Sequence, residues 1–234
     1  MSVNILTMSV QKNSQWQEIR PSRRQVVMWG AGNQCRVDIP ILKSLDLGIV
    51  AFIDQTPGIE SPLSEVPLYP TVEAFAEAFS EEERRDLGSV IAIGNPYGAK
   101  RSEYGDVLKG IGVEPISFAD SSAQVRSDAR ISEGAQIMPG AIIHNSANIG
   151  RQCIINTKAL VEHDCQLMEG VEIGPGAVLT GRVIVGRFAW VGAGAVILPR
   201  LEIGENAIVG AGAVVTKNVP SNEVVIGSPA RPIR

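Results

Sequence analysis

Hydrophobic positions in the second half of the chain recur every six residues. Aliphatic side chains stand at every sixth position from Val125 to Val215, through Ile137, Ile155, Ile173 and Val191, and no position on this ladder is polar. Two residues before each rung stands a mostly small apolar residue, as at Ala135, Cys153, Cys165 and Ala213. A period of six fits neither a helix face nor a lone alternating strand. It suits a coil of three short strands per turn, each sending one large residue inward, with successive coils stacking like upon like. The sixteen rungs give a little over five coils. The expected architecture over residues 120–234 is therefore an all-β left-handed parallel β-helix of hexapeptide repeats, with glycines such as Gly140, Gly174 and Gly204 falling near its corners.

Upstream the pattern changes to alternating strand and helix. Gln25–Trp29 reads as a strand, Gly30-Ala31-Gly32 as a turn, Asn33–Leu45 as a helix and Ile49–Ile53 as a strand ending at Asp54. A helix near Thr71–Phe79, a strand Ser89–Ile93 running into Gly94-Asn95-Pro96, a helix near Ala99–Lys109 and a strand near Glu114–Phe118 follow. This order predicts a small parallel α/β unit of Rossmann type over residues 25–119. Ligands of such sheets bind beyond the carboxyl ends of the strands, which groups Gly30 to Gln34, with Gly32 and Asn33, around one crevice with Asp54, Gln55, Gly94 and Asn95. The glycine fingerprint is incomplete, because Cys35 stands where a third glycine would pack helix on strand, so the turn is either structural or ligand-binding. Asp54 either holds a ribose hydroxyl or caps the turn. The run Glu81–Arg85 reads as a solvated helix face, and residues 1–24 match no domain pattern and read as an extension.

Length and charge narrow the function. A chain of 234 residues has room for two domains, and a net charge of −4 leaves no broad basic surface for a nucleic acid partner. No apolar run resembles a signal peptide or a membrane span, which points to a cytoplasmic protein with no membrane partner. Three cysteines are too few and too irregular for a disulfide framework or a zinc site, and Cys153 and Cys165 fall on the small-residue ladder, where they pack as core.

A small Rossmann-like domain followed directly by a hexapeptide β-helix resembles the sialic acid O-acetyltransferase (NeuD-like) family, which includes the UDP-4-amino-sugar N-acetyltransferases (PglD-like) of bacterial glycan synthesis. The resemblance spans roughly residues 25–234. It is most specific at Asn156-Thr157, at Val161-Glu162-His163-Asp164-Cys165 and at Ile226-Gly227-Ser228-Pro229-Ala230-Arg231. It implies an acyltransferase that takes acetyl-CoA as cosubstrate and a nucleotide-linked amino-sugar as acceptor, with N-acetylation ahead of O-acetylation. A non-catalytic trimeric scaffold is a further reading, and a β-helix carbonic anhydrase is excluded by a total of two histidines.

In that family the matching histidine is catalytic and an acidic residue follows it, which assigns His163 as general base and Asp164 as its partner. The chemistry needs such a pair: acetyl transfer to an amine requires removal of a proton, a near-neutral imidazole is suited to take it, and a carboxylate favours the resulting imidazolium. Asn156 would line the same pocket, whereas His144 matches no family position. The resemblance also places coenzyme A between neighbouring β-helices, against Gly181, Ala193 and Ala211 with Gly192 and Gly212 adjacent, and so implies a homotrimer. Lys217, Arg231 and Arg234 are phosphate candidates by charge. Two positions depart from the family. Gln34 replaces a histidine in the nucleotide-sugar loop, and Glu172 replaces one that contacts acetyl-CoA, so Glu172 binds acceptor, pairs with His163 or is an exposed corner residue.

Overall fold

The structure, a computed structural model, describes residues 23–233. Residues 1–22 of the expected extension and the phosphate candidate Arg234 lie outside them. Among the described residues no helix is long and apolar enough to cross a membrane.

The α/β unit contains β1 (Gln25–Trp29), α1 (Asn33–Ser44), β2 (Gly48–Ile53), β3 (Leu68–Tyr69), α2 (Val72–Ala78), α3 (Glu81–Asp86), β4 (Leu87–Ile91), α4 (Gly98–Gly110) and β5 (Glu114–Pro115). Its five parallel strands lie in the order β3-β2-β1-β4-β5, so the order reverses at β1 and β4. The continuous apolar run of β1 is buried, as expected for a strand covered on both faces. On α1, Cys35, Ile39 and Leu42 recur at helical spacing and form the buried stripe.

Several boundaries differ from the sequence expectation. The strand expected at Ser89–Ile93 lies two residues earlier, because Leu87–Ile91 pairs in register with Gln25–Trp29. Thr71 is outside α2 and caps it, its Oγ1 accepting from the Ala74 N–H at 3.2 Å. The charged run does form a helix, α3, opened by a Ser80–Glu83 capping box, yet Arg84 is not merely solvated: it donates to the carbonyls of Ala76, Phe79 and Ile111. The strand expected over Glu114–Phe118 divides. Glu114–Pro115 stays in this sheet, while Phe118–Ala119 pairs with Gln136–Ile137 as the first rung of the β-helix.

From there to Val214–Val215 every rung is a two-residue strand whose second residue points inward, and each strand stacks on the one a coil later, as Ile142–Ile143 does on Leu160–Val161. The coil is left-handed and has three faces. The first runs through Gln136–Ile137, Ile154–Ile155, Glu172–Ile173, Trp190–Val191 and Ile208–Val209; the second through Leu160–Val161 and Val178–Leu179; the third through Gln166–Leu167 and Ile184–Val185. The ladder residues are fully enclosed except for Val125 and Ile131 in the lowest coil. Each enclosed Ile or Val contributes about 1.5–3 kcal/mol relative to exposure. The last coil is shorter: Val219 bridges Ile203, Val224–Val225 pairs with Ile208–Val209, and Arg231–Pro232 returns antiparallel along Val225–Ile226.

The outward positions of the three faces differ in chemistry. On the second face Ile142, Leu160, Val178, Val196 and Val214 form a half-buried apolar column, while the third face presents Arg130, Asn148, Gln166, Ile184 and Glu202, of which Ile184 alone is apolar. The lower first face is covered by the α/β unit. Met138 and Ile154 pack among Val26, Met28 and Ile39, and Gln136 Nε2 donates to the Ile91 carbonyl at 2.8 Å. Helix α4 lies close enough to the β-helix that a Cβ on Gly98 would strike the Gly170 carbonyl. Its Arg101, fully enclosed, donates to the carbonyls of Ile93 at 2.8 Å, Gln152 at 2.7 Å and Gly170 at 2.9 Å, tying the two regions together.

Candidate active site

A cavity of about 590 Å³ opens beyond the carboxyl ends of β1 and β4, at the reversal of strand order. Gly30, Gly32, Asn33, Gln34, Asp54, Gln55, Gly94 and Asn95 of the predicted crevice all line it, and the β-helix adds Asn156 and Glu172. Gly30 has φ +107° and no room for a side chain, since a Cβ would stand 2.6 Å from the Ala92 carbonyl oxygen. One wall is the Trp29 ring stacked on Tyr104, centroids 4.3 Å apart. A second cavity of about 680 Å³ shares Gly32 and Asn33 and continues along α1 past Arg36 to the Gly58–Leu63 loop.

Carboxylates fix the polar lining. Asp54 Oδ2 accepts from the Ala31 N–H at 2.7 Å and Oδ1 from the Thr56 N–H at 2.9 Å, so both oxygens are committed to joining the turn after β1 to the loop after β2. Gln34 Nε2 donates to Asp38 Oδ1 at 2.9 Å. Burial pushes the Asp38 carboxyl up to about 8, against the opposing Gln34 hydrogen bond. Glu172 is not an exposed corner residue: it sits in a first-face strand, 3% exposed, where Oε1 accepts from Asn95 Nδ2 at 3.0 Å and Asn156 Nδ2 at 3.5 Å. Arg101 Nη1 lies 3.8 Å from its Oε2.

His163 stands elsewhere, on the edge between the second and third faces. Its ring covers Gly181, where a Cβ would come within 2.5 Å of Nε2, so the missing side chain of Gly181 makes room for the imidazole. Nδ1 is 2.8 Å from Asp164 Oδ2, and because a carboxylate accepts, this places a proton on Nδ1 and leaves Nε2 as the basic nitrogen. The hydrogen bond from His163 holds the Asp164 carboxyl below the usual carboxylate range, with Arg182 Nε, 3.4 Å from the same oxygen, adding to the effect. Within one chain Glu172, on the first face, is not its partner; its Oε1 accepts from Asn95 and Asn156 instead.

The residues predicted for coenzyme A divide between two edges. Ala193, Ala211 and Gly212 are exposed on the edge between the first and second faces, the edge that also carries Asn156. Gly192 is buried there: a Cβ would meet the Ala211 nitrogen at 2.7 Å, so this glycine serves coil stacking. Gly181 and Lys217 instead share the column of His163, one and three coils on. Lys217 and Arg231 line one small cavity of about 270 Å³ beside the return strand. The three thiols are buried, and burial pushes Cys35 and Cys153 to about 12 and Cys165 to about 11, which leaves no nucleophilic cysteine.

Sequence reasoning missed Trp29, Tyr104, Asp38 and Arg101. Helical spacing carried a faint signal for two of them, since Asp38 is one turn after Gln34 and Arg101 shares a helix face with Gly98 and Gly105.

Residues 182–217 match the family model for the bacterial transferase hexapeptide (six repeats). No curated protein matches the chain. Among solved structures, a mutant perosamine N-acetyltransferase from Caulobacter crescentus in complex with CoA and GDP-perosamine is 31% identical, with a TM-score of 0.82 over 90% of this chain and 97% of that one. The acetyltransferase domain of PglB from Neisseria gonorrhoeae, in complex with acetyl coenzyme A, is 26% identical, with a TM-score of 0.81 over 90% of this chain and 100% of that one. WeeI from Acinetobacter baumannii is 26% identical, with a TM-score of 0.78 over 89% and 100%.

Proposed function

Because the chain belongs to the hexapeptide-repeat acyltransferases of the sialic acid O-acetyltransferase and nucleotide-amino-sugar N-acetyltransferase family, we propose that it acetylates the amino group of a nucleotide-linked amino-sugar, with His163 as general base. Acetyl-CoA is the acyl donor. The observation that carries the residue assignment is the hydrogen bond of His163 Nδ1 to Asp164, which leaves Nε2 as the basic nitrogen of a half-exposed ring. As the acceptor nitrogen adds to the thioester carbonyl it loses a proton to Nε2, and coenzyme A departs as the thiol once that proton is returned to sulfur. Asp164 stabilises the imidazolium in between.

The acceptor sugar belongs in the 590 Å³ cavity, whose lining includes no lysine or arginine, and its diphosphate at the N-terminus of α1. No side chain caps that helix end, no acidic residue stands in its first turn, and Arg36 follows in the adjoining cavity. The pantetheine arm fits along Ala193, Ala211 and Gly212, where a Cβ on Gly212 would meet no atom within 4 Å and the backbone is open to approach.

Within one chain His163 and Asn156 occupy different edges, separated by the second face. Packing that apolar face against a second copy brings the His163 edge of one subunit to the Asn156 edge of the next. Closing the relation by three gives a homotrimer with three shared sites.

The test is thiol release from acetyl-CoA with GDP-perosamine and a panel of UDP-linked 4-amino-sugars. His163→Ala is expected to lower kcat by roughly 10²–10⁴-fold. Co-expressing His163→Ala with Asn156→Ala chains is expected to restore activity, since a mixed trimer contains sites with both intact edges. Turnover surviving His163→Ala ends the general-base assignment, and failure of the mixture to recover ends the shared site.

A further inference from the structure

Glu172 is a buried carboxylate whose surroundings give it a use different from substrate contact. Its two oxygens are treated unequally. Oε2 is shut away from solvent, takes no hydrogen bond and faces Arg101, whose guanidinium supplies the counter-charge at 3.8 Å. Oε1 receives two side-chain amides from opposite sides of the domain junction, Asn95 from the α/β unit and Asn156 from the β-helix. Asn156 is held at its other end as well, its Oδ1 accepting from the Thr157 N–H at 2.8 Å. The loop carrying Asn95 is held by the same guanidinium, through the Ile93 carbonyl at 2.8 Å. A buried ion pair carries a desolvation penalty that an apolar pair would avoid, so its presence here is better explained by the geometry it imposes than by stability.

We infer that Glu172 is a positioning residue for the acceptor: it fixes Asn95 and Asn156 in the poses in which they meet the sugar, and it touches neither the sugar nor the acyl donor. This rests on the proposed acceptor cavity. It implies that the site selects a sugar with N–H and O–H groups matched to two preset amides, and that both regions of the chain must be correctly docked for that match to exist.

The experiment has two independent readouts. In steady-state kinetics with GDP-perosamine or the best acceptor of the panel, Glu172→Ala is expected to raise the acceptor KM about tenfold and to move the acetyl-CoA KM by less than about twofold. Added to an Asn95→Ala/Asn156→Ala background, it is expected to cost less than about twofold more. Additive losses, or a shift in the acetyl-CoA KM of about tenfold, would mean direct contact and overturn the inference. The second readout needs no turnover: a crystal structure of Glu172→Leu, which removes both acceptor oxygens at similar bulk and whose folding is checked by melting, should show Asn95 and Asn156 leaving their poses. Unmoved amides refute positioning whatever the activity. If the amides move but no acceptor is turned over by the wild-type protein, the acetyl-transfer reading has failed and the positioning role stands.

Discussion

In the β-helix the job of one residue is done again a coil later by another, so Ile155, Ile173 and Val191 are interchangeable parts of one column. The α/β unit has no such duplication: Phe75, fully buried between Tyr69 and Phe79, fills its core once. The same contrast holds for the polar residues. Along one β-helix edge the column that carries His163 carries Gly181 and Lys217 further up, with no change in the rungs beneath. Chemistry can be placed on an edge without disturbing the rungs, at the cost here of one glycine, Gly181, on the next coil to make room for the His163 ring. In the α/β unit Asp54 and Asp38 line or support the cavity and also hold its loops and helix, so site and framework are the same residues.

The sharpest way to break this contrast is Phe75→Ala. Loss of the ring is expected to destabilise by about 3–5 kcal/mol, with hydrogen exchange showing the α/β amides opening while the upper coils keep their protection. Equal loss of protection throughout would make the two regions one cooperative unit and remove the distinction.

A smaller effect follows from Asp38, which faces Gln34, Arg101 and Glu172. Its carboxyl is raised to about 8 from an ordinary value of 3.8, so between those values the native state keeps a proton that the unfolded chain has released. Stability therefore falls as pH rises through that window and levels off above about 8. Asp38→Asn is expected to flatten the slope, gaining on the order of 1–3 kcal/mol over wild type by pH 8 and almost nothing near pH 4. Parallel pH–melting curves for the two proteins would show that Asp38 has no such role.

The smallest comparison is between two aspartates at the two parts of the site. Asp54→Asn deprives one backbone N–H of its charged acceptor and is expected to cost about 1 kcal/mol in denaturant unfolding. Asp164→Asn is expected to lower kcat while leaving the melting temperature within about one degree, since the pair it forms is exposed. A stability loss at Asp164 as large as that at Asp54 would contradict the separation of chemistry from framework on the β-helix edge.

The uneven legibility of the sequence has the same origin. Sixteen repetitions of one rule made the coil readable, and the rule failed only where repetition fails. Phe118–Ala119 was missed because alanine stands where a large rung residue was expected, and the last coil because Val219 and Val225 arrive early. In the α/β unit β3, two residues long, is too short to show a period, and the position of β4 is set by its pairing with β1. The pairing of His163 with Asp164 is between neighbours and was visible in the local sequence. What Glu172, Asp38 and Arg101 do depends on how the two regions dock, and nothing in a linear pattern records that; the sequence is compatible with three roles for Glu172, and its enclosure beside Arg101 and Asn95 is a property of the docked fold alone.

The shortened final coil and the return strand Arg231–Pro232 act on more than one molecule. A stack of parallel strands ends in a row of unmet amides and carbonyls, and such a row is a template on which another chain can grow. Here the first face ends under an antiparallel strand that does not offer the next coil its register. Head-to-tail growth into a fibre needs both ends of the coil free, so closing one of them suffices to keep the protein finite.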